Sequence, residues 1–125
     1  WVRWWRRSRG RECLTAEEAA AAGPWLAESA VVVDALLGIG ARGAVREPVA
    51  SLISRMSGAG KPVVAVDIPS GLDGDSGRVQ GVAVRAAVTV TFGLPKRGCL
   101  MAEGPAHTGE LVVEPITMPR SLLIP

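Results

Sequence analysis

Residues 63–77, VVAVDIPSGLDGDSG, decide the fold class. Val63, Val64, Ala65 and Val66 form an apolar run without alternation, the pattern of a parallel strand covered on both faces. Asp67 falls where that strand ends. Pro69 forbids further ladder pairing, and Ser70-Gly71 opens a loop. In open α/β sheets ligands gather outside the carboxyl ends of the strands, which puts Asp67 and Ser70 where chemistry is usually done. The same residues equally suit a plain turn in which Asp67 caps the next segment.

Working outward toward the N-terminus, Ala30 to Val33 is a second apolar strand, ending in Asp34. A loop with glycines at Gly38, Gly40 and Gly43 follows. Glu47-Pro48 then opens a helix over Val49 to Met56, with Val49, Leu52, Ile53 and Met56 on one face. Ser57 to Gly60 ends it, and Lys61-Pro62 leads into the central strand. This is a βαβ unit of about 35 residues, which predicts an α/β fold with parallel neighbouring strands. Asp34 and Asp67 then lie on the same edge of the sheet. Further out, Thr15 and Glu18 predict a capping box for a helix through the alanine run, stopped by Gly23-Pro24. Downstream, Ala87 to Phe92 is a third strand, Gly93 to Gly98 a loop at its end, and Leu111 to Val113 a last short strand.

The loop Gly38-Ile39-Gly40-Ala41-Arg42-Gly43 has the spacing of a dinucleotide fingerprint, and Asp67 stands where a ribose-binding acid belongs. In that motif the helix opens within the glycines so that its N-terminus faces the pyrophosphate. Here Arg46-Glu47-Pro48 put the helix start beyond Gly43. A conventional NAD-binding Rossmann enzyme is therefore an alternative rather than the leading reading.

Bulk composition narrows the classes. The chain has 125 residues, 48% of them hydrophobic, with one Phe and no Tyr, so its core is aliphatic. The net charge of +2 comes from Arg3, Arg6, Arg7, Arg9 and Arg11; the rest carries an acidic excess and does not point to nucleic acid. Cys13 and Cys99 lack metal-like spacing and fit a reducing, cytoplasmic setting. No apolar stretch approaches the roughly 18 residues of a membrane span. Residues 1–13, rich in Trp and Arg, read as an atypical basic tail, 14–119 as the domain and 120–125 as a linker.

Four segments together carry a family resemblance: VVVDALLGIGARGAVREP (31–48), KPVVAVDIPSGLDGDSGRVQG (61–81), AAVTVTFGLPKRG (86–98) and GELVVEPITMP (109–119). In order and spacing they resemble the YjeF N-terminal domain, the NAD(P)H-hydrate epimerase family. The resemblance implies a Rossmann-like three-layer α/β/α sandwich with a mostly parallel sheet. It also implies interconversion of the R and S hydrates of NADH and NADPH, feeding an S-specific dehydratase. By matching position, Asp34 and Ser70 would be ligands of one potassium ion. Gly38, Ile39, Gly40, Ala41, Arg42, Gly43 and Ala44 would line the dinucleotide site. Asp67 would contact the hydrated ring as acid/base. A dehydratase domain fused C-terminally and a homodimer are further expectations. The family's Asn- and Gly-rich loop has no counterpart here, and the chain contains no Asn, so the domain is expected to be incomplete at its N-terminus. An inactive or repurposed binding or self-association module is the corresponding alternative.

The chemistry suits these residues. A hydrate of this kind is a hemiaminal, whose hydroxyl leaves with help from the ring nitrogen. Its loss and return need a group that gives and takes a proton, as a carboxylate near a dry pocket can. A hard cation wants oxygen ligands and would offset repulsion between Asp34 and Asp67. Of the remaining residues, Asp73 and Asp75 are expected to form a turn rather than a cation site. Lys96 either meets phosphate or is solvated, His107 is exposed, and Cys99 is unreactive.

Overall fold

A computed structural model of the chain describes residues 10–117, 119 and 121. Residues 1–9 of the expected tail, and all of the expected linker but Ser121, lie outside them. In chain order the elements are α1 (Ala16–Ala20), α2 (Gly23–Glu28), β1 (Val32–Asp34), α3 (Val49–Gly58), β2 (Val63–Val66), β3 (Val88–Phe92), α4 (Arg97–Leu100), α5 (Gly104–Thr108) and β4 (Glu110–Glu114). The four strands form one all-parallel sheet in the order β1-β2-β3-β4. The expected parallel pair is present, with Val32 beside Val63 and Asp34 beside Ala65. The chain thus has the Rossmann-like α/β class.

Local signals explain the elements. Thr15 accepts the Glu18 backbone N–H at 3.2 Å, while the Glu18 carboxylate accepts the Thr15 N–H at 3.1 Å, closing the expected capping box. Gly23-Pro24 does more than stop α1: Pro24 sits in the first turn of α2, where its missing N–H costs nothing. The amphipathic helix α3 runs to Gly58, two residues past the expected Met56, and buries Ile53 and Met56 against Val32, Val63 and Val84. A second cluster joins Ile68, Leu72 and Cys99, with Leu111 packed on it. Burying one such aliphatic side chain contributes about 1.5–3 kcal/mol.

Both clusters lie on the sheet face that carries Val32, Val63, Ala65, Thr89 and Leu111. The opposite face differs. Val33 is 60% exposed, and Val64, Val66, Val88, Val90 and Val112 are only half-buried. Of the three expected layers, the described residues therefore supply the sheet and one helical layer. Among the described residues the apolar run at Val63 is covered on one face, not on both as expected.

Two further differences concern the C-terminal third. The expected loop at Gly93 to Gly98 gives way to α4 at Arg97, and α5 was not foreseen. His107, expected in solvent, is 8% exposed, with Nδ1 2.9 Å from the Val84 carbonyl oxygen. A helix of five residues shows no apolar periodicity, and its burial comes from neighbours distant in sequence.

Candidate functional site

Strand β2 delivers Asp67 to the carboxyl edge of the sheet in a left-handed conformation, φ 70. Non-glycine residues rarely adopt it, though Asp tolerates it better than most. Its N–H donates to the Val90 carbonyl at 2.7 Å, anchoring the residue to β3. One carboxylate oxygen, Oδ1, accepts three hydrogen bonds: from Lys96 Nζ at 2.5 Å, the Phe92 N–H at 3.1 Å and the Thr91 hydroxyl at 3.2 Å. Among the described residues no donor is bonded to Oδ2. Partial burial pushes the Asp67 pKa up. The Lys96 ammonium, the Phe92 N–H and the Thr91 hydroxyl outweigh that and hold it below the ordinary carboxylate value.

Lys96 is therefore mostly withdrawn from solvent and paired with Asp67. It sits just before α4, donates a second hydrogen bond to the Phe92 carbonyl at 2.9 Å, and supplies the positive charge next to Asp67. The signal for it was indirect. The β2–β3 register places Val66 beside Val90, so the residues following each strand must meet.

Asp34 and Ser70 are brought together. Asp34 is fully buried and Ser70 is 1% exposed. Ser70 donates its hydroxyl to Asp34 Oδ1 at 2.6 Å and its N–H to Oδ2 at 2.8 Å. The Leu36 N–H donates to Oδ1 at 3.3 Å, and the Leu37 N–H to the Ser70 hydroxyl at 2.9 Å. Ser70 can approach this closely because Gly71 follows it at φ 88, where an added Cβ would collide with the Val82 carbonyl oxygen. No cationic side chain among the described residues pairs with Asp34. A buried carboxylate without a counter-charge, a hydroxyl, and the Leu37 carbonyl 3.4 Å from that hydroxyl form an oxygen donor set that fits a hard monovalent cation. Among the described residues no group of three or more His, Cys, Asp or Glu converges as a site for a metal ion.

The glycine loop divides in two. Ala41, Arg42, Gly43 and Ala44 line a hollow of about 270 Å³ together with Val45, Arg46 and Gln80, whereas Gly38, Ile39 and Gly40 do not. Ile39 is instead 54% exposed, near Gly74. The Val45 N–H donates to the Gln80 carbonyl at 2.9 Å, tying the loop to the segment after Gly77. Helix α3 begins only at Val49, so no helix N-terminus opens inside the glycines and the geometry of the dinucleotide fingerprint is not met. Asp67, Asp34 and Ser70 do not line this hollow. Asp73 forms the expected turn. Its Oδ1 accepts the Ser76 N–H at 2.7 Å, the Ser76 hydroxyl at 2.8 Å and the Asp75 N–H at 3.1 Å, and Arg42 lies 3.6 Å from Oδ2. The Ser76 donors, aided by Asp75 and Arg42, hold its pKa below the ordinary value.

Residues 6–98 match the family described as YjeF-related protein N-terminus. The chain belongs to that family. Asp34, the glycine loop, Asp67, Ser70 and Lys96 all fall within the matched span of this YjeF-related domain. A bifunctional NAD(P)H-hydrate repair enzyme Nnr of Pyrobaculum aerophilum is 54% identical over 95 residues, which cover 76% of this chain and 19% of the relative. A like-named enzyme of Coxiella burnetii is 48% identical over 98 residues, 78% of this chain and 20% of the relative. An NAD(P)H-hydrate epimerase of Weissella koreensis is 43% identical over 86 residues, 69% of this chain and 39% of the relative. The chain thus spans about a fifth of the bifunctional relatives and about two-fifths of this epimerase.

Proposed function

We propose that this YjeF-related domain takes part in NAD(P)H-hydrate epimerisation, exchanging the R and S hydrates of NADH and NADPH. One observation carries the reading: a carboxylate at a strand's carboxyl end, pinned through Oδ1 and open at Oδ2, in a chain similar to a Weissella koreensis protein named NAD(P)H-hydrate epimerase. Asp67 is the residue that meets the hydrated ring. Its free oxygen is the proposed acceptor for the proton of the returning water, a general-base role typically worth about 10²–10⁴-fold in rate. Ala41 to Ala44, with Arg42 and Arg46 alongside, are the surface proposed for the rest of the dinucleotide.

Asp34, Ser70 and the Leu37 carbonyl would hold a potassium ion, which supplies a fixed positive charge for an anionic ligand. A cation there compensates the buried Asp34 carboxylate, which is what favours the assignment. The proposed pathway partner is an S-specific dehydratase, in keeping with the bifunctional relatives. A homodimer and a cytoplasmic location complete the proposal. The two free cysteines suit a reducing compartment. Among the described residues no helix is long and apolar enough to cross a membrane.

The test is a coupled assay in which an S-specific dehydratase reports conversion of the purified R hydrate, with and without potassium. Asp67→Asn is expected to lower the rate by about 10²–10⁴-fold. An Asp67→Asn chain as active as the parent would remove Asp67 from the reaction.

A further inference from the structure

We propose that Lys96 is the acid of this reaction, its ammonium protonating the departing hydroxyl while the free oxygen of Asp67 serves the returning water. The proposal rests on the epimerase reading. An ammonium has three N–H donors. One goes to Asp67 Oδ1 at 2.5 Å and one to the Phe92 carbonyl at 2.9 Å, and the third is uncommitted among the described residues. On its partner, all the donors converge on Oδ1 and leave Oδ2 open. An available donor and an available acceptor therefore stand side by side. Neither is sealed away, since the Lys96 and Asp67 side chains are 19% and 23% exposed.

The geometry separates the two roles. A carboxylate gathered by an ammonium, an amide and a hydroxyl on one oxygen is stabilised as the anion and is a poor store for a proton. The Thr91 hydroxyl is already committed to Asp67. Lys96 is the one group in this cluster that carries a transferable proton while Asp67 stays ionised. The Phe92 carbonyl and Asp67 together fix where that proton points, as a useful acid requires.

The step balances. The C–O bond to the hydroxyl breaks with its electron pair going to oxygen, which takes a proton from Lys96 Nζ and leaves as water. The ring nitrogen's lone pair forms the N=C bond, and Lys96 is left as a neutral amine. Water then adds to the opposite face, its oxygen supplying the new C–O pair while the N=C pair returns to nitrogen. The surplus proton is accepted at Asp67 Oδ2 and restores the ammonium, so neither residue changes over a cycle.

Lys96→Arg separates proton donation from ion pairing, because a guanidinium keeps the charge but does not give up a proton in a protein. Lys96→Ala removes both, and added ethylammonium can replace the lost acid. All are measured on the full chain by the coupled assay, with circular dichroism to show that each variant is folded. Lys96→Arg and Lys96→Ala are each expected to lose about 10²-fold or more in kcat, with ethylammonium restoring activity to Lys96→Ala alone. A parent that epimerises and a Lys96→Arg that does so within about threefold would overturn the acid role and leave the epimerase reading standing. A folded Lys96→Ala that no amine restores would also overturn it. A folded parent that gives no acceleration would overturn the epimerase reading itself, and the role of Lys96 with it.

Discussion

Asp67 combines a left-handed backbone with a carboxylate held through one oxygen, and these features depend on each other. The conformation costs of order 1 kcal/mol or more and persists because Val90, Thr91, Phe92 and Lys96 over-determine it. The pH behaviour follows from its depressed pKa. A carboxylate whose folded pKa lies below its unfolded one stabilises the fold above the unfolded value, about 3.9 for Asp, and loses that contribution as pH falls through the folded value. Urea midpoints should show Lys96→Met less stable than the parent at pH 7, with the gap closing only as pH drops below about 3.9. A gap that stays constant down to pH 2 would mean Lys96 stabilises through packing rather than charge. At this scale the sequence was partly legible. Asp34, Asp67 and Ser70 stood out as polar residues at the ends of apolar runs. The Lys96 partnership did not, because it depends on the pairing of β2 with β3, which no local pattern records.

The loop after β2 is an element in its own right, built so that Ser70 reaches back 36 residues to Asp34. Ser70→Ala deletes a hydroxyl that donates to Asp34 in a buried bond and accepts from the Leu37 N–H in a part-buried one. The expected loss is about 1–3 kcal/mol in chemical denaturation, the cost of leaving buried partners unsatisfied. Stability equal to the parent would show that water or an ion takes the hydroxyl's place. Elements with strong local grammar were legible: the capping box of α1, the apolar face of α3, and the proline and glycine stops around β2. The helices α4 and α5, four and five residues long, were not. They are shorter than the windows over which periodicity can be read, and contacts such as the Thr89 hydroxyl to the Thr108 carbonyl at 2.7 Å hold them in place.

At the scale of the whole molecule, the described residues bury the sheet on one side and leave it open on the other. Val63 is 2% exposed and Val33, on the opposite face of the neighbouring strand, is 60% exposed. Val33→Lys is expected to change stability by no more than about 0.5 kcal/mol, whereas Val63→Lys, which buries an unpaired charge, is expected to unfold the chain. Equal effects in thermal melts would show that both faces are covered in solution. The α/β class and the parallel β1–β2 pair were legible from apolar runs ending in acids. The one-sided burial was not, since Val63 to Val66 reads the same whether one face is covered or both.

The central claim is that this YjeF-related domain exchanges the two hydrates by breaking and remaking the C–O bond at Asp67 and Lys96. The most direct measurement follows the purified R hydrate in heavy-oxygen water, by mass spectrometry of the S product. The account predicts S hydrate formed faster than the spontaneous rate and carrying solvent oxygen. S hydrate formed no faster than in the absence of the protein would contradict it.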